Sequence, residues 1–209
     1  MNREVRTLQV LDLEVRAGEG DDGEGFRVRG HAMTWDDPYT VWDFEEQVDR
    51  GAVPDDIGSQ DVFAFWSHDS SIPLARTLNG TLQLVKDEKG LAVDFELPAS
   101  RAAEAEAIST GLVDRMSVGF FVVRQQWEER KDLPDLRTIL EMQLLEVSPV
   151  AIPANPNTDL SAREKEYLVE ARAACLGAEC KRDSETADGD ELVLSSQRRN
   201  RLRMAELKK

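Results

Sequence analysis

Asp61-Val62-Phe63-Ala64-Phe65-Trp66-Ser67-His68 is a continuous apolar run closed by a polar pair. That is the composition of a strand buried on both faces. Behind it follow Pro73 to Asn79, Thr81 to Val85 and Leu91 to Leu97, separated by turn residues at Asn79-Gly80 and Glu88-Lys89-Gly90. Short apolar runs at this spacing describe a β-meander. Toward the N-terminus, Glu4 to Arg16 carries partial period-two alternation and reads as a strand. Gly18 to Gly23 reads as a turn, and Gly25 to Trp35 as its hairpin partner. Phe44 to Val53 reads as a short helix stopped at Gly51.

Toward the C-terminus, Ser100 is placed to cap a helix over Arg101 to Leu112, terminated by Gly111. Met116 to Trp127 and Leu136 to Val150 are two longer strands, and Ser161 to Leu176 reads as an exit helix. Lys181 to Glu191 is polar enough to be expected disordered. Many strands with few helices predict a β-dominated α+β fold whose strands form a closed or nearly closed β-barrel. Residues 1–160 are expected to form that domain, and residues 161–209 a C-terminal helix and flexible charged tail.

The chain has 209 residues and a net charge of −15. Residues 161–209 hold 11 Lys/Arg against 10 Asp/Glu, so the preceding 160 carry about −16. An acidic body argues against direct nucleic-acid binding, which needs a basic face. Arg198-Arg199-Asn200-Arg201-Leu202-Arg203 is a basic end, read either as a solubilising terminus or as a docking element for an acidic partner. No run of 18 or more apolar residues is present, so no membrane-spanning helix is expected. The N-terminus has no apolar signal-peptide core, and an intracellular protein is expected. Cys175 and Cys180 are expected to be free thiols in a reducing compartment.

The candidate chemistry rests on few residues. His31 and His68 are the chain's two histidines, and histidine is the usual general base near neutral pH. His68 ends an apolar strand, where a side chain is held firmly yet can face a cleft. His31 lies in the middle of an alternating strand. In Arg115-Met116-Ser117-Val118-Gly119-Phe120, Ser117 and Gly119 share one strand face. Gly119 would leave room for a substrate backbone beside the Ser117 hydroxyl, or would serve a bulge or a packing need. Glu146 lies inside the apolar stretch Leu144 to Ala154, where an acid needs a partner. It could orient the His68 ring, face solvent, or pair with Arg115 or Arg76. Two distant histidines and scattered acids offer no metal-ligand spacing, so neither a metal nor a cofactor is expected.

Phe65-Trp66-Ser67-His68-Asp69, Arg115 to Phe120 and Leu145-Glu146-Val147-Ser148-Pro149-Val150, in this order, resemble the prohead proteases of tailed bacteriophages. Phe26 to Ala32, Arg50-Gly51-Ala52 and Gly90-Leu91 before Glu96-Leu97 support the resemblance, which spans about residues 25–160. The resemblance implies a serine endopeptidase with a fold like that of the herpesvirus assembly proteases. Such an enzyme would process scaffold or major capsid protein segments, and itself, inside an assembling procapsid in the host cytoplasm. It implies His68 as base and Ser117 as nucleophile. The herpesvirus enzymes use a second histidine after the serine, but this chain has none there, and Glu146 is the acid expected to replace it. A homo-oligomer is compatible with this reading; membrane and nucleic-acid partners are not expected. The competing class is a non-enzymatic acidic β-barrel that assists capsid assembly.

Overall fold

The structure is a computed structural model that describes residues 3–8, 12–17, 25–151, 162–176 and 179–181. Its strands in chain order are β1 (Glu4–Leu8), β2 (Glu14–Ala17), β3 (Phe26–Thr34), β4 (Tyr39–Val41), β5 (Phe44–Val48) and β6 (Phe63–Trp66). They continue with β7 (Asp69–Arg76), β8 (Leu82–Lys86), β9 (Gly90–Leu97), β10 (Arg115–Glu128), β11 (Leu136–Val150) and β12 (Glu179–Lys181). Helix α1 (Ala102–Ser109) precedes β10, and α2 (Ala162–Cys175) follows β11.

The strands form two open sheets. The smaller is antiparallel, in the order β2-β3-β9-β8. The larger runs β1-β10-β11-β5-β4, with β12 added to β10 and the β6-β7 hairpin added to β11. The expected barrel is therefore corrected to a pair of open sheets within the same β-rich class. The long strand β11 forks: β5 pairs in parallel with Leu136–Ile139, and β6 with Glu146–Val147. A strand that diverges to two partners spreads its sheet rather than curling it toward closure. β1 and β4 remain as ends, and among the described residues no ladder joins the two sheets.

Both sheets pack on one core. β9 alternates so that Leu91, Val93, Phe95 and Leu97 face inward, and β8 contributes Leu82 and Leu84. Met116, Val118 and Phe120 of β10 and Val147 of β11 meet them from the larger sheet. Alternation puts the neighbouring residues Ser117 and Gly119 on the opposite face of β10. A second apolar cluster joins Val41, Phe44 and Trp127 to Leu168 and Cys175 of α2, with the Phe44 and Trp127 rings edge-on at 4.7 Å.

The local expectations fared unevenly. Gly80 and Gly111 adopt positive φ where they end a turn and a helix, as their positions predict. The segment expected to be a helix at Phe44–Val53 is β5 followed by a 3₁₀ turn at Arg50–Ala52. Its alternation of Phe44, Glu46 and Val48 inward was masked by the burial of a glutamate. The single strand expected over Glu4–Arg16 is two strands in different sheets. Helix α1 starts after a 3₁₀ turn, and its N-cap is Arg101 rather than Ser100. Cys175 is disulfide-bonded rather than free, and the chain's other cysteine is Cys180. The basic end at 198–203 and most of the 181–191 segment lie outside the described residues.

The buried Glu46 belongs to a quartet that the sequence did not suggest. Glu4, Arg6, Glu46 and Arg137 are all within about 1% of full burial. Arg6 bonds Glu4 at 2.7 Å and Glu46 at 2.8 Å, while Arg137 bonds Glu4 at 2.7 Å and Glu46 at 2.6 Å. Tyr39 donates to Glu46, and Gln125 accepts from Arg137. Two cations and two anions balance, so burial strands no net charge. Opposing carboxylates hold both guanidinium groups above their ordinary range despite a desolvation cost that acts the other way. Arg137→Leu leaves two buried glutamates sharing one arginine. The expected cost is about 3–5 kcal/mol in chemical denaturation, whereas an exposed pair such as Arg16–Glu14 should give under about 1 kcal/mol.

Candidate active site

His68 owes its position to a two-residue turn. β6 and β7 form a hairpin in which Trp66 faces Asp69, leaving Ser67 and His68 as the central pair. Both have positive φ, 50° and 63°, as a tight I′-type hairpin requires. Without glycine such a pair is strained, and a strained pair persists when its surroundings hold it. Here the Ser67 amide donates to the Pro149 carbonyl at 3.1 Å, tying the turn to β11. The same strand carries Glu146, which faces Phe63 of β6 in register.

The register of β10 against β11 assembles the rest. Ser117 pairs with Ser148, and Gly119 pairs with Glu146. Paired residues of an antiparallel ladder point to the same side, so all four share one face. His68 Nδ1 lies 2.6 Å from Glu146 Oε1. Ser148 Oγ donates to the other carboxylate oxygen, Oε2, and the Arg3 guanidinium donates to Oε1. Glu146 is thus buried with three partners rather than facing solvent, while Arg76 pairs with Asp61 and Arg115 lies nearest Asp114. Burial pushes the Glu146 carboxyl up, but the hydrogen bond and charge of His68, then Ser148 and Arg3, outweigh it and hold it below the ordinary carboxylate range.

His68 Nε2 is buried and, among the described residues, has no hydrogen-bond partner. With Nδ1 engaged by a carboxylate, Nε2 is the nitrogen left to accept a proton. Ser117 is also fully buried, but its hydroxyl donates to the backbone carbonyl of Arg6 at 3.1 Å, not to His68. The structure therefore joins two of the three expected residues, His68 and Glu146, directly. Ser117 lies on their face with its proton turned toward β1.

Gly119 has a different reason from room for substrate. A Cβ there would meet Glu146 Oε1 at 2.5 Å and Arg3 Nε at 2.9 Å. Ser148 carries a signal visible in the sequence: it lies two residues from Glu146 on one strand, hence on the same face. Arg3 carries none, since it reaches Glu146 across 143 positions. His31 stands apart in the smaller sheet, with Asp12 at 2.6 Å on Nδ1 and Asp87 at 2.8 Å on Nε2, a fully partnered position. A cleft of about 750 Å³ lies along β11 between β5 and β6, lined by Pro54, Gln60, Arg124 and Glu141 among others, and includes none of the three site residues. Among the described residues no group of three or more His, Cys, Asp or Glu is placed to hold a metal ion.

On the face of β10 and β11 the chain sets a strand-borne serine and a carboxylate-held histidine. The model of the caudovirus prohead serine protease family matches residues 11–170. The chain belongs to this family. No curated protein and no solved structure matches it. Prohead serine proteases act in capsid maturation within the procapsid, and the matched stretch contains His68, Ser117 and Glu146. Among the described residues no helix is long and apolar enough to cross a membrane.

Two outcomes follow from the carboxylate's surroundings. Gly119→Ala should push Glu146 off His68 and remove the hydrogen-bonded imidazole N–H resonance from the proton NMR spectrum, with the fold retained. The same resonance should report on pH. Because the Glu146 carboxyl ionises below its unfolded value of about 4.3, its stabilising contribution is complete above that value. It disappears as pH falls through the depressed folded value, so the resonance should persist at pH 5 and vanish only under more acidic conditions.

Proposed function

We propose that this chain is a serine endopeptidase that cleaves scaffold or major capsid protein segments, and itself, during capsid maturation. Ser117 is the nucleophile, His68 the general base and Glu146 the acid that orients it. The observation that carries the reading is the His68–Glu146 pair, whose outer nitrogen is buried without a partner on the face of β10 that bears Ser117.

The chemistry follows from that arrangement. His68 Nε2 takes the Ser117 proton as Oγ adds to a peptide carbonyl carbon. The charge developing on the imidazole is balanced by Glu146, which Ser148 keeps turned so that Oε1 faces Nδ1. The imidazolium then returns the proton to the leaving amine, and the acyl-enzyme is hydrolysed by water activated through the same nitrogen. Ser148 is a positioning residue in this scheme, because it touches only the acid.

Full burial of Ser117 and its bond to a backbone carbonyl favour the second reading, a non-enzymatic assembly module. A serine-reactive phosphonate separates the two, since a structural serine is not labelled in a base-dependent way. Coexpression with capsid substrates should show processing lost in Ser117→Ala and in His68→Ala. Processing at the wild-type rate in Ser117→Ala would overturn the assignment. Glu146→Gln should retain a measurable remainder of activity. Ser148→Ala should lower turnover about tenfold with little change in KM, and Ser148→Thr should restore much of it.

A further inference from the structure

The proposed reaction needs the Ser117 proton to pass to His68, yet residues 3–6 hold the site away from that step. The Arg6 carbonyl accepts the Ser117 hydroxyl at 3.1 Å. The Arg3 guanidinium donates to Glu146 Oε1, the same oxygen that partners His68 Nδ1. His68 Nε2 is left buried without a partner among the described residues. β1 also pairs with β10 from Met116 to Phe120, so its backbone fills the sheet edge beside Ser117. An extended peptide seeking that edge as an added strand would find it occupied.

We infer that β1 is an inhibitory strand that keeps the site latent, and that an extended segment of the substrate polypeptide displaces it from the β10 edge. The inference rests on Ser117 and His68 being the nucleophile and base.

The buried quartet shows how such a strand can leave. Glu4 and Arg6 both belong to β1 and bond one another at 2.7 Å. Glu46 and Arg137 belong to the body and bond one another at 2.6 Å. The network therefore divides along the β1–body boundary into two neutral pairs. The pair left behind keeps Tyr39 on Glu46 and Gln125 on Arg137. Neither half is stranded with an unpaired buried charge, which is what makes breaking such networks costly. As the end strand of its sheet, β1 has one ladder to give up, the one to β10. The family match begins at residue 11, beyond β1, so the matched framework does not include this strand.

The test measures the rate at which a serine-reactive phosphonate labels Ser117 in the full chain, read by mass spectrometry. Wild type is compared with Arg3→Ala and with the doubly substituted Glu4→Gln/Arg6→Gln chain, each checked for an intact unfolding transition. Loosening β1 raises the open population, so the double substitution should label at least about tenfold faster, and Arg3→Ala should also exceed wild type. A synthetic peptide of residues 1–10 should slow the doubly substituted chain again. If that chain does not fold, Arg3→Ala decides alone, because the Arg3 side chain is only partly buried and lies outside the fully buried quartet. Labelling at equal or lower rates in the folded variants overturns the inhibitory role and leaves the protease reading intact. No labelling of Ser117 in any folded chain, wild type included, overturns both.

Discussion

The pairing of β10 with β11 is the constraint on which the rest of the molecule depends. It sets Ser117 opposite Ser148 and Gly119 opposite Glu146, on the face away from the apolar core. A slip of one residue would turn Ser117 and Glu146 into the core and Val118 and Val147 out of it. The apolar positions Met116, Val118, Phe120 and Val147 make that slip prohibitive, so core packing fixes the geometry of the polar face indirectly. β11 also recruits the hairpin that brings His68, because β6 pairs with β11 at Glu146 and Val147. One strand thus supplies Glu146, the hydroxyl that bonds it and the scaffold that holds His68.

Polar burial in this protein follows two separate rules. The Glu4–Arg6–Glu46–Arg137 quartet is neutral, fully bonded and remote in sequence from any catalytic motif. It fastens the N-terminal strand to the body. The Glu146 site is bonded along its carboxylate but leaves one imidazole nitrogen unmatched. An orphaned buried nitrogen is unfavourable in a purely structural setting and useful where a proton must be received. The strain of two successive positive φ values at Ser67 and His68 belongs with it, because the Ser67 amide and the β11 register hold the turn that presents the ring.

The legible parts of the fold were those governed by local patterning. The meander from Phe63 to Leu97, the long strands β10 and β11 and the helices α1 and α2 follow from apolar periodicity and from Gly80 and Gly111 as stops. β5 was misread as helix because Glu46 breaks the alternation in composition while keeping it in space. That the sheets stay open was also not legible, since the fork of β11 depends on which remote strands reach its edge. At the site, His68 and Glu146 were foreseen and are joined, whereas the grip of Arg3 on Glu146 and of Arg6 on Ser117 was not. Those contacts span over a hundred residues and leave no period or spacing to read.

The sequence by itself determined the β-rich class, the strands that carry Ser117 and Glu146 and the two histidines from which a base could come. Side-chain alternation and residue scarcity are local properties, and both are visible in one dimension. Tertiary structure alone decided why residue 119 must be glycine, that Arg3 grips Glu146, and that the first strand lies across Ser117. Each of these is a matter of a few ångströms between segments brought together by long-range pairing. Such proximity is created by the packed core and the register of remote strands, and no single segment encodes it.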